Sequence, residues 1–139
     1  MSDPFDLERF VDAQEEDYES VLEELQRGSK RGHWMWYVFP QLKGLGRSSM
    51  AYEFGIAGRA EAEAYLAHPI LGPRLIECTR RVNTVEGRSA EQIFGSIDTL
   101  KFRSSMTLFA QVAGPESIFA KALEKYFGGV GDRLTLDRL

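Results

Sequence analysis

Cysteine, histidine and proline are scarce in this chain. Its single cysteine, Cys78, excludes a disulfide framework and fits a reducing compartment such as the cytoplasm. The two histidines, His33 and His68, stand far from each other and from Cys78, without metal-ligand spacing, so neither a metal nor another cofactor is expected. The longest apolar run is Trp34 to Phe39, far short of the ~20 residues a bilayer span requires. The acidic start also lacks the pattern of a secretory signal, and a membrane is not expected as a partner. Basic charge is in deficit: 17 Lys and Arg against 21 Asp and Glu leave a net charge of -4, which argues against general nucleic-acid binding. No stretch alternates apolar and polar residues for more than a few positions, and there is no repeat, linker or low-complexity segment.

What remains is a chain of 139 residues, 43% of them hydrophobic. That suits one globular domain, 1–139, which at this length buries roughly 68% of its unfolded surface without a staple. Charge is unevenly spread along it. Residues 1–24 hold ten acids against one base, Arg9, whereas 25–52 hold five bases (Arg27, Lys30, Arg31, Lys43, Arg47) and no acid. A second acid-free stretch, Thr99 to Pro115, carries Lys101 and Arg103. Such a pattern is either a solvated acidic helix followed by a basic loop, or a local positive field that attracts a small anion.

Helical signals dominate. Asp3-Pro4 reads as a helix start, with Phe5, Leu7, Phe10 and Val11 as its stripe up to about Ala13. Tyr18, Val21, Leu22 and Leu25 recur at helical period, and Gly28 ends that helix. Ser48 or Ser49 caps a helix through Met50, Tyr52, Phe54 and Ile56; Arg59–Ala67 and Leu71–Val85 follow, with His68 expected to satisfy carbonyls at the end of the first. Ser89 with Gln92 forms a capping box, Asp98 starts a helix over Thr99–Val112, and Ile118 to Phe127 carries the last strong stripe. Asp132 caps a short terminal turn, and Trp34–Phe39 is the one serious strand candidate. The pattern predicts an all-α fold, a single compact domain of six to eight short helices.

Two segments could carry chemistry. In His33-Trp34-Met35-Trp36-Tyr37-Val38-Phe39-Pro40-Gln41, both tryptophans of the chain lie two residues apart. Clustered aromatics usually form core, yet indole, phenol, imidazole and amide tips each require a partner when buried. A pocket wall uses such residues, faces for stacking and tips for orientation, with Trp34, Trp36 and Gln41 as ligand contacts. His33 is the candidate general base there, unless it is a structural histidine held by a carbonyl. In Asp98-Thr99-Leu100-Lys101-Phe102-Arg103-Ser104-Ser105, Asp98, Lys101 and Ser105 share a helical face. This is an ordinary ion pair plus a hydroxyl or, beside the aromatic run, a substrate-binding cation, Lys101, with Ser104 and Ser105 as hydroxyl ligands. Gly44-Leu45-Gly46-Arg47-Ser48-Ser49 is a capped turn or a weak anion site built on Arg47. Cys78 reads as packing. No motif names a reaction.

The runs Asp3-Pro4-Phe5-Asp6-Leu7-Glu8-Arg9-Phe10, His33 to Gln41, Tyr65-Leu66-Ala67-His68-Pro69, Lys101-Phe102-Arg103-Ser104-Ser105-Met106-Thr107-Leu108-Phe109 and Lys125-Tyr126-Phe127-Gly128-Gly129 resemble a family of small bacterial proteins, domain of unknown function eighteen-ten. The resemblance spans nearly the whole chain. It implies a single, mainly helical domain and assigns no catalytic residue. Members often bear the label calpastatin, but nothing in this chain is similar to the disordered repeats of that inhibitor. Two functions are expected from the residues: a site for a small anionic ligand, phosphate-bearing or nucleotide-like, or a non-catalytic protein-interaction module with an acidic N-terminal surface.

Overall fold

A computed structural model describes residues 3–139. Among these residues ten helices run in the order α1 (Glu8–Gln14), α2 (Tyr18–Arg27), α3 (Met35–Val38), α4 (Ser49–Glu53), α5 (Arg59–Ala67), α6 (Leu71–Thr84), α7 (Ala90–Phe94), α8 (Ser96–Ala113), α9 (Ile118–Phe127) and α10 (Arg133–Arg138). The only β pairing among the described residues is an isolated bridge, Leu42 to Ile56. The all-α expectation holds, but the number is ten rather than six to eight. The surplus comes from the shortest elements. The strand candidate at Trp34–Phe39 is a single helical turn, α3, and the expected terminal turn is a complete helix, α10. Among the described residues no helix is long and apolar enough to cross a membrane.

The long α8 is the axis of the molecule. It packs against α3, α5, α7, α9 and α10, while α6 bridges α2, α5 and α9. Its buried residues include the unbroken run Ser104 to Phe109, so it has no single apolar stripe; a helix surrounded by others is buried most of the way round. Two of its buried hydroxyls are satisfied within the helix: Thr99 donates to Gly95 O at 2.7 Å and Thr107 to Arg103 O at 2.7 Å. Phe102, Phe94 and Phe39 meet at its N-terminal half, with Phe94 and Phe102 stacked at 4.6 Å between ring centroids. Phe109, Tyr65 and Phe10 form a second aromatic chain at the other half. One hydrophobic cluster joins both groups.

Local chemistry explains most element ends. Ser48, Ser117 and Asp132 cap α4, α9 and α10 through side-chain oxygens, and Ser89 with Gln92 makes both bonds of the expected capping box. Gly28 adopts φ 71°, the left-handed conformation that ends α2. Three expectations are corrected. Asp3 accepts from the backbone N–H of Leu7 and Glu8, but α1 begins only at Glu8, because Asp6 turns the chain with φ 53°. His68 does not serve carbonyls: its Nδ1 accepts from the N–H of Ile70 and Leu71 at the start of α6. Asp98 lies inside the first turn of α8 rather than capping it, and its carboxylate is used elsewhere.

Candidate functional site

The segment after α3 is pinned by backbone. Lys43 N donates to Ile56 O at 2.8 Å and Ile56 N donates to Gln41 O at 2.9 Å. This pairing needs close approach at Gly55, where a Cβ would lie 2.7 Å from Lys43 Cα. The loop carrying Gln41, Leu45 and Gly46 is thereby held beside the N-terminal half of α8. Between them lie a narrow recess of about 10 Å³, lined by Met35, Trp36, Phe39, Gln41, Ala51, Phe54 and Lys101, and an open cleft of about 280 Å³. The cleft walls include Gln41, Leu45, Leu100, Lys101, Ser104 and Leu134; Gln41 and Lys101 border both spaces. A recess of that size accommodates about one water-sized group, and the cleft falls near the lower end of small-ligand pockets, roughly 300 Å³.

Of the residues singled out from sequence, Trp36, Gln41, Lys101 and Ser104 come together here. The others lie outside the linings. His33 is exposed on the bend before α3. Trp34 is a core residue, 2% exposed, with its indole N–H donating to Glu24 at 3.0 Å. Arg47 is exposed, next to the lining residue Gly46. Ser105 is fully buried in the interior, and its Oγ has no hydrogen-bond partner among the described residues. Consecutive helical positions diverge by about 100°, which explains how Ser104 reaches the cleft while Ser105 does not.

The electrostatics centre on Asp98. Its carboxylate bridges two lysines, Lys30 at 2.7 Å and Lys101 at 3.4 Å. Each lysine also faces one of the tryptophans: Lys30 Nζ is 5.1 Å from the Trp34 ring centroid and Lys101 Nζ 4.8 Å from that of Trp36. Lys30 is also bonded to Gly32 O and lies near Glu24. Glu24 is opposed by partial burial, but bonds from Arg31 N, Gly32 N and Trp34 Nε1 outweigh it and hold its carboxyl below the usual range. Sequence reasoning placed Asp98 and Lys101 on one face but missed Lys30. Its only local signal is membership of the acid-free stretch; the partner lies 68 positions away.

Asp132 also lines the cleft and spends its carboxylate on Thr135 N and Oγ1, whereas three other polar side chains around the recess and cleft are unengaged. Trp36 Nε1 is buried and has no hydrogen-bond partner among the described residues. The side chains of Gln41 and Ser104 make no hydrogen bond within the described residues, whereas Lys101 spends one long bond on Asp98. Elsewhere Asn83 Oδ1 and Ser105 Oγ are also buried without a partner among the described residues, while other interior polar groups are satisfied. Arg9 uses its Nε, Nη1 and Nη2 on Glu53 O, Phe5 O, Asp6 O, Gly55 O and Glu61, and Gln14 donates to Tyr37 O and Tyr65 Oη. Burial pushes the Cys78 thiol up to about 12, with Glu77 adding to the rise, and the thiol is inert packing in α6.

The same architecture occurs in a solved relative. The chain is similar to the crystal structure of the conserved hypothetical protein Rv1873 from Mycobacterium tuberculosis, with 58% sequence identity and a TM-score of 0.97. The match covers 99% of this chain and 98% of that one. No curated protein matches. Residues 4–139 match the profile described as Protein of unknown function (DUF1810), and the chain belongs to that family.

Proposed function

We propose that this chain binds a small anionic ligand in the cleft between α8, α10 and the loop after α3. The observation that carries this reading is the meeting of Trp36, Gln41, Lys101 and Ser104, drawn from distant parts of the sequence, with polar groups that the fold leaves unengaged. Pockets that bind small molecules combine apolar walls with a few convergent polar groups. Leu45, Leu100 and Leu134 supply the apolar wall, and Lys101 supplies the cation. A phosphate-bearing or nucleotide-like molecule joins a flat ring for that wall with negative charge. The chain works as one domain in a reducing cytoplasm under this reading, and it requires no turnover.

Nucleotides, ADP-ribose and sugar phosphates are to be screened by tryptophan fluorescence and thermal shift. A binder quenches or shifts the emission of Trp36 and raises the melting temperature, and Lys101→Met weakens it about tenfold, equivalent to about 1.4 kcal/mol. Silence from every compound at about millimolar concentration, where binding is worth about 4 kcal/mol, removes the reading.

A second reading, a protein-interaction module, is favoured by the exposed acids Asp6, Glu8, Asp12, Glu15, Glu16, Glu19 and Glu23 along the N-terminal segment and α2. A salt-sensitive complex with a defined basic protein, lost when Glu15, Glu16 and Glu19 are neutralised and kept in Lys101→Met, supports it over the cleft.

A further inference from the structure

We propose that the aliphatic face at the mouth of the cleft docks an acidic amphipathic helix of a partner protein. This goes beyond the small-ligand reading, with which it shares the cleft and Lys101, and it stands or falls separately. The axial helix α8 is buried most of the way round, yet its two exposed large aliphatic residues, Ile97 at 71% and Leu100 at 66%, both line the cleft. Leu134 of α10, 56% exposed, and Leu45 of the loop after α3 line it with them. Singly exposed apolar side chains are ordinary, whereas several converging from three separate segments form the kind of patch that marks an interaction surface. Ile97, Leu100 and Ser104 stand at i, i+3 and i+7 on α8, so this wall runs about two helical turns, roughly 10 Å. A docked helix that displays apolar residues at the same spacing matches that length.

Charge decides the sign of the partner. The two acid-free stretches of the sequence meet at this cleft: Gln41, Leu45 and Gly46 come from the first, and Leu100, Lys101 and Ser104 from the second. Lys101 lines the cleft, Arg47 and Arg133 stand next in sequence to lining residues, and Arg138 lies against Gly44. The acids nearby are already engaged. Lys30 holds Asp98 at 2.7 Å, Asp132 caps α10, and Asp137 pairs with Arg133. The rim is therefore basic although the chain as a whole carries a net charge of -4. A second copy of the chain suits this face poorly, since a two-fold axis through it sets the same bases against one another. A lipid surface suits it poorly as well, because the aliphatic side chains line a concave cleft and a bilayer is flat. A helix with a Leu or Ile stripe flanked by Glu and Asp meets both the aliphatic floor and the basic rim.

The test is a titration of the full chain into a fluorescein-labelled peptide of about 18 residues, long enough to form a helix, with Leu at i, i+3, i+4 and i+7 among Glu and Ala. Binding is read by anisotropy. One control peptide keeps the Leu stripe and replaces Glu by Lys; another keeps the acidic composition and scrambles the stripe. The acidic striped peptide is expected to bind with a Kd below about 100 μM, at least tenfold more tightly than either control, and to weaken as salt rises. Ile97→Ser with Leu100→Ser, both at exposed positions, should weaken it at least tenfold with the melting temperature kept, while Ile76→Ser, at a 45% exposed position on α6, leaves it unchanged. Equal binding of the acidic striped peptide and either control, indifference to the Ile97 and Leu100 changes, or no binding at about 1 mM overturns the proposal. Without peptide binding, self-association in sedimentation that the double variant abolishes assigns the face to a second copy. Binding to phosphatidylglycerol vesicles that the double variant abolishes assigns it to lipid, again in the absence of peptide binding. If a nucleotide or sugar phosphate raises the melting temperature and the acidic peptide does not bind, this proposal falls and the small-ligand reading stands. If the peptide binds as expected and no small compound does, the reverse holds.

Discussion

At the scale of single residues, burial separates two aromatic positions that look equivalent in sequence. Phe109 is 0% exposed and packs between Tyr65 and Phe119, so Phe109→Ala is expected to cost about 3–5 kcal/mol in a denaturant melt. Trp36 is half-buried with one face toward Lys101, and Trp36→Ala is expected to cost under about 2 kcal/mol, since part of its surface already meets water. Equal losses at both sites contradict this placement. Glu24 makes a pH-dependent contribution. Its folded carboxyl titrates below its unfolded value of 4.5, because three hydrogen bonds and Lys30 outweigh its burial. Stability from this group is therefore complete above pH 4.5 and drains away as pH falls through the lower folded value. Glu24→Gln should flatten the stability profile between those two points, as read from urea midpoints at several pH values. An unchanged acid slope would show that Glu24 does not hold the 31–34 turn.

At the scale of elements, the critical feature is the short bridge that fixes the loop after α3. Gly55→Ala places a methyl about where the Lys43 backbone lies, at 2.7 Å from both its Cα and Cβ. Cβ contacts that close force a backbone shift, expected to cost about 1–3 kcal/mol as overpacking does. Because the same bridge positions Gln41, the variant should also lose ligand-induced changes at Trp36. A variant with wild-type melting temperature would show that the loop accommodates the methyl freely. Element boundaries set by caps were legible in sequence: Ser89 with Gln92, Ser48, Gly28 and Asp132 all act where their spacing places them. The exceptions share a cause. Asp98 has a helix-starting sequence position, but a carboxylate in that place is drawn to Lys30, and Gly95 takes the end of the helix instead.

At the scale of the whole molecule, Asp98 ties the turn after α2 to the start of α8. The Lys30 side chain in that pair is only 8% exposed. Asp98→Asn leaves its ammonium without its main counter-charge and is expected to cost about 3 kcal/mol, as removal of one member of a buried pair does. Lys101→Met breaks only the longer, more exposed contact and should cost about 1 kcal/mol or less. Thermal melts of the two variants, compared side by side, test the hierarchy; a larger loss for Lys101→Met inverts it.

The sequence by itself determined the helical class and most helix ends, because period, caps and glycine turns act within a few residues of the chain, and it singled out two segments without deciding that they meet. It left α3 ambiguous. A single turn has too few positions to display a period, and Met35, Tyr37 and Val38 are all buried by different neighbours. Only the tertiary structure decided which polar tips were consumed and which were left over. Trp34 spends its indole N–H on Glu24 and Ser105 turns inward, whereas Trp36, Gln41 and Ser104 keep their hydrogen-bonding capacity beside Lys101. That outcome depends on how far the bridge at Ile56 draws one loop toward α8, a distance set by packing across the molecule and written in no local pattern.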